Sequence, residues 1–210
     1  GEILAVAGVQ GNGQSELAEV ILGLRTPDSG TITLEGKDIT CANPRKSLNS
    51  GVGFVPEDRM TDGMVSSFSI ADNLVLDQFN APEFAWGPSR KLGAVARNAR
   101  AKQEEYDIRL TSITDPISSL SGGNQQKVVV AREMSRELKL LVVNQPTRGV
   151  DVGSIEFIHR RIVEVRDQGC AVLLISSELD EVVALADRIA VMYRGRIVGI
   201  VPADTERDVL

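Results

Sequence analysis

The chain has 210 residues, one large domain or one and a half, and can bury a core without disulfides or metals. Hydrophobic residues make up 42% and charged ones 25%, which excludes a disordered or fibrous chain. Lys and Arg number 23 against 29 Asp and Glu, for a net charge of −6, and this argues against a nucleic-acid-binding surface. No apolar run approaches the ~20 residues of a membrane span, so any membrane role is peripheral. Cys41 and Cys170 lie far apart with no ligand-spaced partner and read as free thiols in a reducing compartment.

Short apolar runs alternate with helix-like stretches, the pattern of a parallel sheet covered on both faces. Gly1-Glu2-Ile3-Leu4 opens directly in strand character, and the expectation is of a domain whose natural N-terminus lies upstream. Ile3 to Ala7 reads as a buried strand, followed by a Gly-rich turn and a helix from about Gln14 to Leu22. Thr31 to Leu34 alternates into Glu35-Gly36 and reads as one arm of an antiparallel hairpin. Val52 to Val55 is a short strand ending at Pro56.

From Leu74 to Ile117 the character changes. Pro82, Trp86-Gly87 and Pro88 punctuate it, and Arg90 to Tyr106 is predicted as a charged helix, so the stretch reads as a helical insertion. Phe84 and Trp86 are expected in its core, with an exposed, partner-facing aromatic as the alternative. Leu138 to Val143, Ala171 to Ser176, Ile189 to Tyr193 and Arg196 to Val201 are further strands. Ile155, Ile158, Ile162 and Val165 fall on one helical face that stops at Gly169. His159 on that helix is expected to pack or to lie at the surface, not to catalyse. Ser177 with Asp180 makes a capping pattern for a helix reaching Ala186.

Gly8-Val9-Gln10-Gly11-Asn12-Gly13-Gln14-Ser15 sits between strand and helix with the spacing of a phosphate-binding loop, except that Gln14 replaces its lysine. Glycines there let N–H groups turn onto phosphate oxygens, and the helix start adds partial positive charge. Alone, the loop is equally readable as a dinucleotide-binding turn, with Glu35 roughly 20 residues on as the ribose-binding acid, or as a plain tight turn. Ser15 is readable as a helix cap.

Leu120-Ser121-Gly122-Gly123-Asn124-Gln125-Gln126-Lys127 resembles the signature sequence of ATP-binding cassette (ABC) ATPases, opening a helix that runs to about Arg136. Other landmarks follow in that family's order along nearly the whole chain. Val142-Val143-Asn144-Gln145-Pro146-Thr147 stands at the second Walker motif, Gly149-Val150-Asp151-Val152-Gly153 at the loop that contacts a facing domain, Val55-Pro56-Glu57 at the loop before the insertion, and Ile175-Ser176-Ser177 at the strand that usually presents a histidine. Pro56-Glu57-Asp58-Arg59, Asp62-Gly63-Met64 and the Asn-Gln-Gln continuation resemble the second ATPase half of tandem sugar and nucleoside importers, and Gln145-Pro146-Thr147 with Ile155 to His159 the nucleoside branch.

The resemblance implies an α/β fold: a P-loop NTPase-like, mostly parallel sheet with an antiparallel β portion and a helical insertion. It implies a single ABC ATPase domain over 1–210, N-terminally truncated, with a core of 1–73 and 120–210 and a helical subdomain at about 74–119. Its nucleotide contacts would be Gly8, Gly11, Asn12, Gly13, Gln14, Ser15, Glu16 and Glu57. Ser121, Gly122, Gly123 and Gln125 would instead serve ATP held by a facing domain, with Asp151 at that interface.

Four positions depart from the family. Gln14 stands for the phosphate-neutralising lysine, Asn144 for the magnesium-holding aspartate, Gln145 for the water-polarising glutamate and Ser177 for the switch histidine, so no catalytic residue is intact. Losing one transition-state donor typically costs about 10²–10³ in rate, and four losses predict an inert site. No metal site is expected beyond a weak Mg²⁺ contact at Ser15. ATP is expected to bind weakly here, and Mg-ATP at the partner half's site. The implied partners are a first ATPase half in the same polypeptide, transmembrane permease subunits and, indirectly, a substrate-binding protein, but no nucleic acid. The permease is expected to dock between Glu57 and about Phe84, where Met64, Val65, Phe68 and Ile70 gather. The implied location is the cytoplasmic face of a bacterial membrane. The alternatives are a still-active ABC half and a non-transport ABC or scaffold module.

Overall fold

Residues 1–205 are described by a computed structural model, in which the chain folds as two units. The first comprises Gly1–Val55, Arg136–Pro146 and the chain from His159; the second comprises Pro56–Ser135 and Thr147–Ile158.

In the first unit the elements are β1 (Glu2–Ala7), α1 (Gln14–Leu22), β2 (Thr33–Leu34), β3 (Lys37–Asp38), α2 (Pro44–Asn49) and β4 (Val52–Val55). The chain returns to this unit for β7 (Leu140–Asn144), and later for β8 (Ala171–Ser176), α7 (Leu179–Leu185), β9 (Arg188–Tyr193) and β10 (Arg196–Pro202). Six of these strands form one sheet in the order β10-β9-β1-β8-β7-β4. All neighbours are parallel except β10, which runs antiparallel to β9. Central strands β7 and β8 are almost continuously buried, as parallel strands covered on both faces must be, whereas β10 at the edge is largely exposed. Val6, Val52, Val142, Leu173, Ile175 and Ala190 form the core with Ala18 of α1. The β2–β3 hairpin pairs Thr33 with Asp38 around Glu35-Gly36, as its alternation predicts.

The second unit holds α3 (Ile70–Asn73), β5 (Ala85–Trp86), β6 (Ser89–Arg90), α4 (Leu92–Glu105), α5 (Gly122–Glu133) and the start of α6 (Val152–Asp167), with a π turn at Arg59–Gly63 and a 3-10 turn at Ile117–Ser119. Two expectations for the insertion fail here. Arg90 lies not in the helix but in the antiparallel β5–β6 pair, where it faces Ala85. Trp86 is 81% exposed while Phe84 is 5% exposed. The two-residue strand explains the difference: successive side chains alternate, and with Ala85 buried Trp86 points outward. The fold is thus α/β, with a mostly parallel sheet, antiparallel portions and a helical insertion.

Candidate functional site

β1 delivers the chain into the glycine-rich loop, and Gly13 caps α1 at φ 108°, a left-handed conformation that a side chain would strain. The loop is closed on itself. Gln14 is 6% exposed; its Oε1 accepts from the Asn12 backbone N–H at 3.0 Å and its Nε2 donates to the Val9 carbonyl at 3.2 Å. Asn12 stitches the loop further: its Nδ2 donates to the Val9 carbonyl at 2.7 Å and its Oδ1 accepts from the Arg194 N–H at 2.8 Å. Its carbonyl accepts from the Gly195 N–H at 2.8 Å.

The Asn12 amide is therefore engaged by the loop's own carboxamide. Glu16, exposed in the first turn of α1, favours the helix start by about 0.3–1 kcal/mol and repels an anion there. Ser15 lies inside α1 and does not cap it; Gly13 holds that position with no side-chain bond. Gly8 and Gly11 complete the loop, and a Cβ at Gly8 would strike the Met192 carbonyl.

β7 and β8 are in register with Asn144 opposite Ile175, which brings Gln145 beside the end of β8. Asn144 is 6% exposed. Gln145 has φ 48° and its N–H donates to the Ile175 carbonyl at 2.8 Å. Its Nε2 donates to Ser177 Oγ at 3.1 Å and its Oε1 accepts from the Ser177 N–H at 3.3 Å. The capping role expected of Ser177 is not seen. Glu178 caps α7 without a side-chain bond, Ser176 Oγ accepts from the Glu178 N–H at 3.0 Å, and the Ser177 side chain turns to Gln145. The register of two parallel strands outweighs a local cap. His159 Nε2 lies 2.8 Å from Glu181 Oε1 on α7.

In the second unit Ser121 stands at the start of α5, exposed, and its carbonyl accepts from the Gln125 N–H at 2.9 Å. Asn124 Nδ2 donates to Ser121 Oγ at 3.0 Å while its Oδ1 accepts from the Arg109 N–H at 2.8 Å. That network orients the amide and leaves the Ser121 hydroxyl proton to donate outward. Gln125 is buried and donates to the Leu120 carbonyl at 3.1 Å. Lys127, also buried, reaches the Asp107 carbonyl at 2.8 Å and its carboxylate at 3.0 Å, and sits 4.7 Å from the Phe157 ring centre. The lysine holds the Asp107 carboxyl below its ordinary value, through the hydrogen bond first and its charge second.

Asp151 caps α6. Its Oδ1 accepts from the Ser154 N–H at 3.0 Å and its Oδ2 from the Ser154 hydroxyl at 2.9 Å, and these bonds lower its pKa. A Cβ on Gly123 would overlap both that carboxylate and the Ser154 hydroxyl. A side chain at Gly123 would therefore have to displace these groups where α5 meets the α6 start. Glu57 forms an ion pair with Arg148. The sequence reading missed one contributor, Asn124; a carboxamide one turn from the signature serine was the available signal.

Among the described residues no cluster of three His, Cys, Asp or Glu side chains is arranged to hold a metal ion. No helix among them is long and apolar enough to cross a membrane.

The family model described as ABC transporter matches residues 1–148, and the chain belongs to that family. It is 49% identical over 205 residues to the nucleoside import ATP-binding protein NupA of Lactococcus lactis, covering 98% of this chain and 40% of that protein. It is 49% identical to the guanosine import ATP-binding protein NupO of Bacillus subtilis with the same coverages, and 43% identical to the ribose import ATP-binding protein RbsA 2 of Rubrobacter xylanophilus, covering 95% and 38%. The chain thus spans about two fifths of the length of these relatives. Among solved structures, a nucleotide-free ATP-binding cassette from an ABC transporter superposes with TM-score 0.79 at 25% identity, covering 99% of this chain and 82% of the other. A dimeric post-hydrolysis cassette bound to ADP and Pi superposes at 0.81 with 17% identity, covering 98% and 87%, and supports the fold.

Proposed function

We propose that this chain is the second, degenerate ATPase half of a tandem ABC importer protein for a nucleoside or sugar. Its own nucleotide site is inert, and its signature serves ATP bound by the first half. The observation that carries this is the contrast between two loops. In the glycine-rich loop the neutral Gln14 carboxamide occupies the Asn12 amide, and Gln145 and Ser177 bond to each other. At the α5 start, Ser121 keeps an outward donor on an exposed helix terminus. When bound by the first half, Mg-ATP supplies the phosphoryl chemistry. Ser121 and the Gly123 amide are the donors offered to its terminal phosphate, with Asp151 at the same face.

The single-domain organisation, with a core of 1–73 and 120–210 and an insertion at about 74–119, belongs to this proposal. So do the permease partners, the substrate-binding protein and a peripheral position on the cytoplasmic membrane face. Of the apolar residues expected to meet the permease, Met64 and Ile70 are buried within their own unit, Val65 is half-buried and Phe68 is 47% exposed; Met60 and Phe79 on the same segment, 49% and 55% exposed, join Phe68. These three are the docking candidates between Glu57 and Phe84, and crosslinks that placed the permease on the β2–β3 hairpin instead would reject them.

The test of the division of labour is an asymmetric pair in the intact tandem protein with its permease. Ser121→Arg is expected to abolish ATP hydrolysis and transport. Gln14→Ala is expected to leave both within about a few-fold, since it touches no essential step. The opposite pattern refutes the proposal.

A further inference from the structure

Arg59 belongs to neither set of residues discussed above, yet it lies where three loops of the second unit meet. Its Nη1 donates to the Arg148 carbonyl at 3.0 Å and its Nη2 to the Gly149 carbonyl at 3.4 Å. On its other side the same Nη2 sits 2.7 Å from the position a Cβ would take on Gly122. Any side chain at that signature position would displace the guanidinium.

The residues around it fix the arm that carries it. Asp58 accepts from the Met60 and Thr61 N–H groups at 2.9 and 3.2 Å and from the Thr61 hydroxyl at 2.9 Å, which builds the π turn opening at Arg59. Glu57 holds the Arg148 side chain by an ion pair. Downstream of the two gripped carbonyls, the Val150 N–H donates back to the Thr147 carbonyl at 3.2 Å. The chain then reaches Asp151, whose carboxylate lies against Gly123.

The geometry points to Arg59 as a positioning residue that joins the 148–149 loop to the start of α5, so that Ser121, Gly123 and Asp151 are presented as one rigid surface. A planar fork with fixed donor directions suits two successive carbonyls, whereas an ammonium is a point charge on a flexible stem. The donors go to backbone carbonyls, so the grip survives any change of side chain at 148. Because Glu57, Asp58 and Arg59 are consecutive, the segment that the proposed function assigns to the permease is the segment that holds this surface. That link rests on the proposed function; the brace itself does not.

Amide hydrogen exchange on the chain measures the brace directly. Arg59→Ala is expected to speed exchange of the Val150, Ser154 and Ile155 amides by about tenfold or more, with the interior of α5 unchanged. Arg59→Lys, reaching one carbonyl, is expected to fall between. Unchanged exchange at those amides in Arg59→Ala overturns the inference, as does a lysine variant no better than alanine. In the intact tandem protein, Arg59→Ala is expected to lower kcat by about tenfold with KM for ATP within about twofold, because the surface acts after ATP is bound elsewhere. Ser121→Arg run in parallel separates the two ideas. If it is inactive while Arg59→Ala keeps wild-type kcat and exchange, the brace is wrong and the signature assignment stands. If Ser121→Arg stays active, the signature assignment falls, and with it the catalytic consequence of the brace.

Discussion

Replacing Gln14 by alanine tests whether the glycine-rich loop is held shut by its own side chain. The substitution removes two neutral hydrogen bonds, to the Asn12 N–H and the Val9 carbonyl. Each is worth about 0.5–1.5 kcal/mol, giving a loss of about 1–3 kcal/mol. Gly11 beside the bond is exposed and Asn12 half-buried, so water reaches the freed amide, and the lower half of that range applies. In a chain of this size about 1 kcal/mol moves the melting temperature by about 2–4 °C, so a fall of about 2–8 °C is expected by scanning calorimetry. Exchange of the Asn12 amide should rise sharply in the variant, while that of β1 and β8 should not. A melting temperature within about 1 °C of wild type, with Asn12 still slow to exchange, would refute the claim that the carboxamide closes the loop.

The isolated chain is expected to show negligible ATP turnover and, by isothermal titration, no sub-micromolar ATP affinity; turnover near ~1 s⁻¹ or binding at about −8 kcal/mol or better would contradict the inert site. Gly123→Ala must push the Asp151 carboxylate off Ser154, and loss of such a cap costs about 0.5–2 kcal/mol; chemical denaturation should show that loss, and an unchanged midpoint would mean the α5–α6 contact yields freely. Asp58, Asp107 and Asp151 all have lowered pKa values, from bonds to Thr61, Lys127 and Ser154 respectively. Their stabilisation is complete above the unfolded carboxyl value of about 3.9 and is lost as pH falls through the lower folded values. Protection of the second unit's amides, taken relative to the intrinsic exchange rate at each pH, should therefore fall below about pH 4, and protection that stays constant down to acid unfolding would refute the contribution.

The pattern of the chain determined most of the elements. Parallel strands buried on both faces must be continuous apolar runs, so Val52–Val55 and Ala171–Ser176 were readable, and the Gly-rich turn before Gln14 placed a helix start where α1 begins. The signature residues were legible because their spacing is local: Ser121, Gly122 and Gly123 all fall within one helical turn. What only the tertiary structure decided is where polar side chains turn when two partners compete. Ser177 had a cap within reach along the chain, yet it bonds to Gln145, 32 positions away, because two parallel strands end side by side. Trp86 left the core because a two-residue hairpin turned it outward. Arg59 grips carbonyls 89 and 90 positions distant, and no periodicity encodes that choice. Local pattern sets the backbone through short-range sterics and burial; the partners of polar groups are set by which strand and loop ends the sheet and helices bring together.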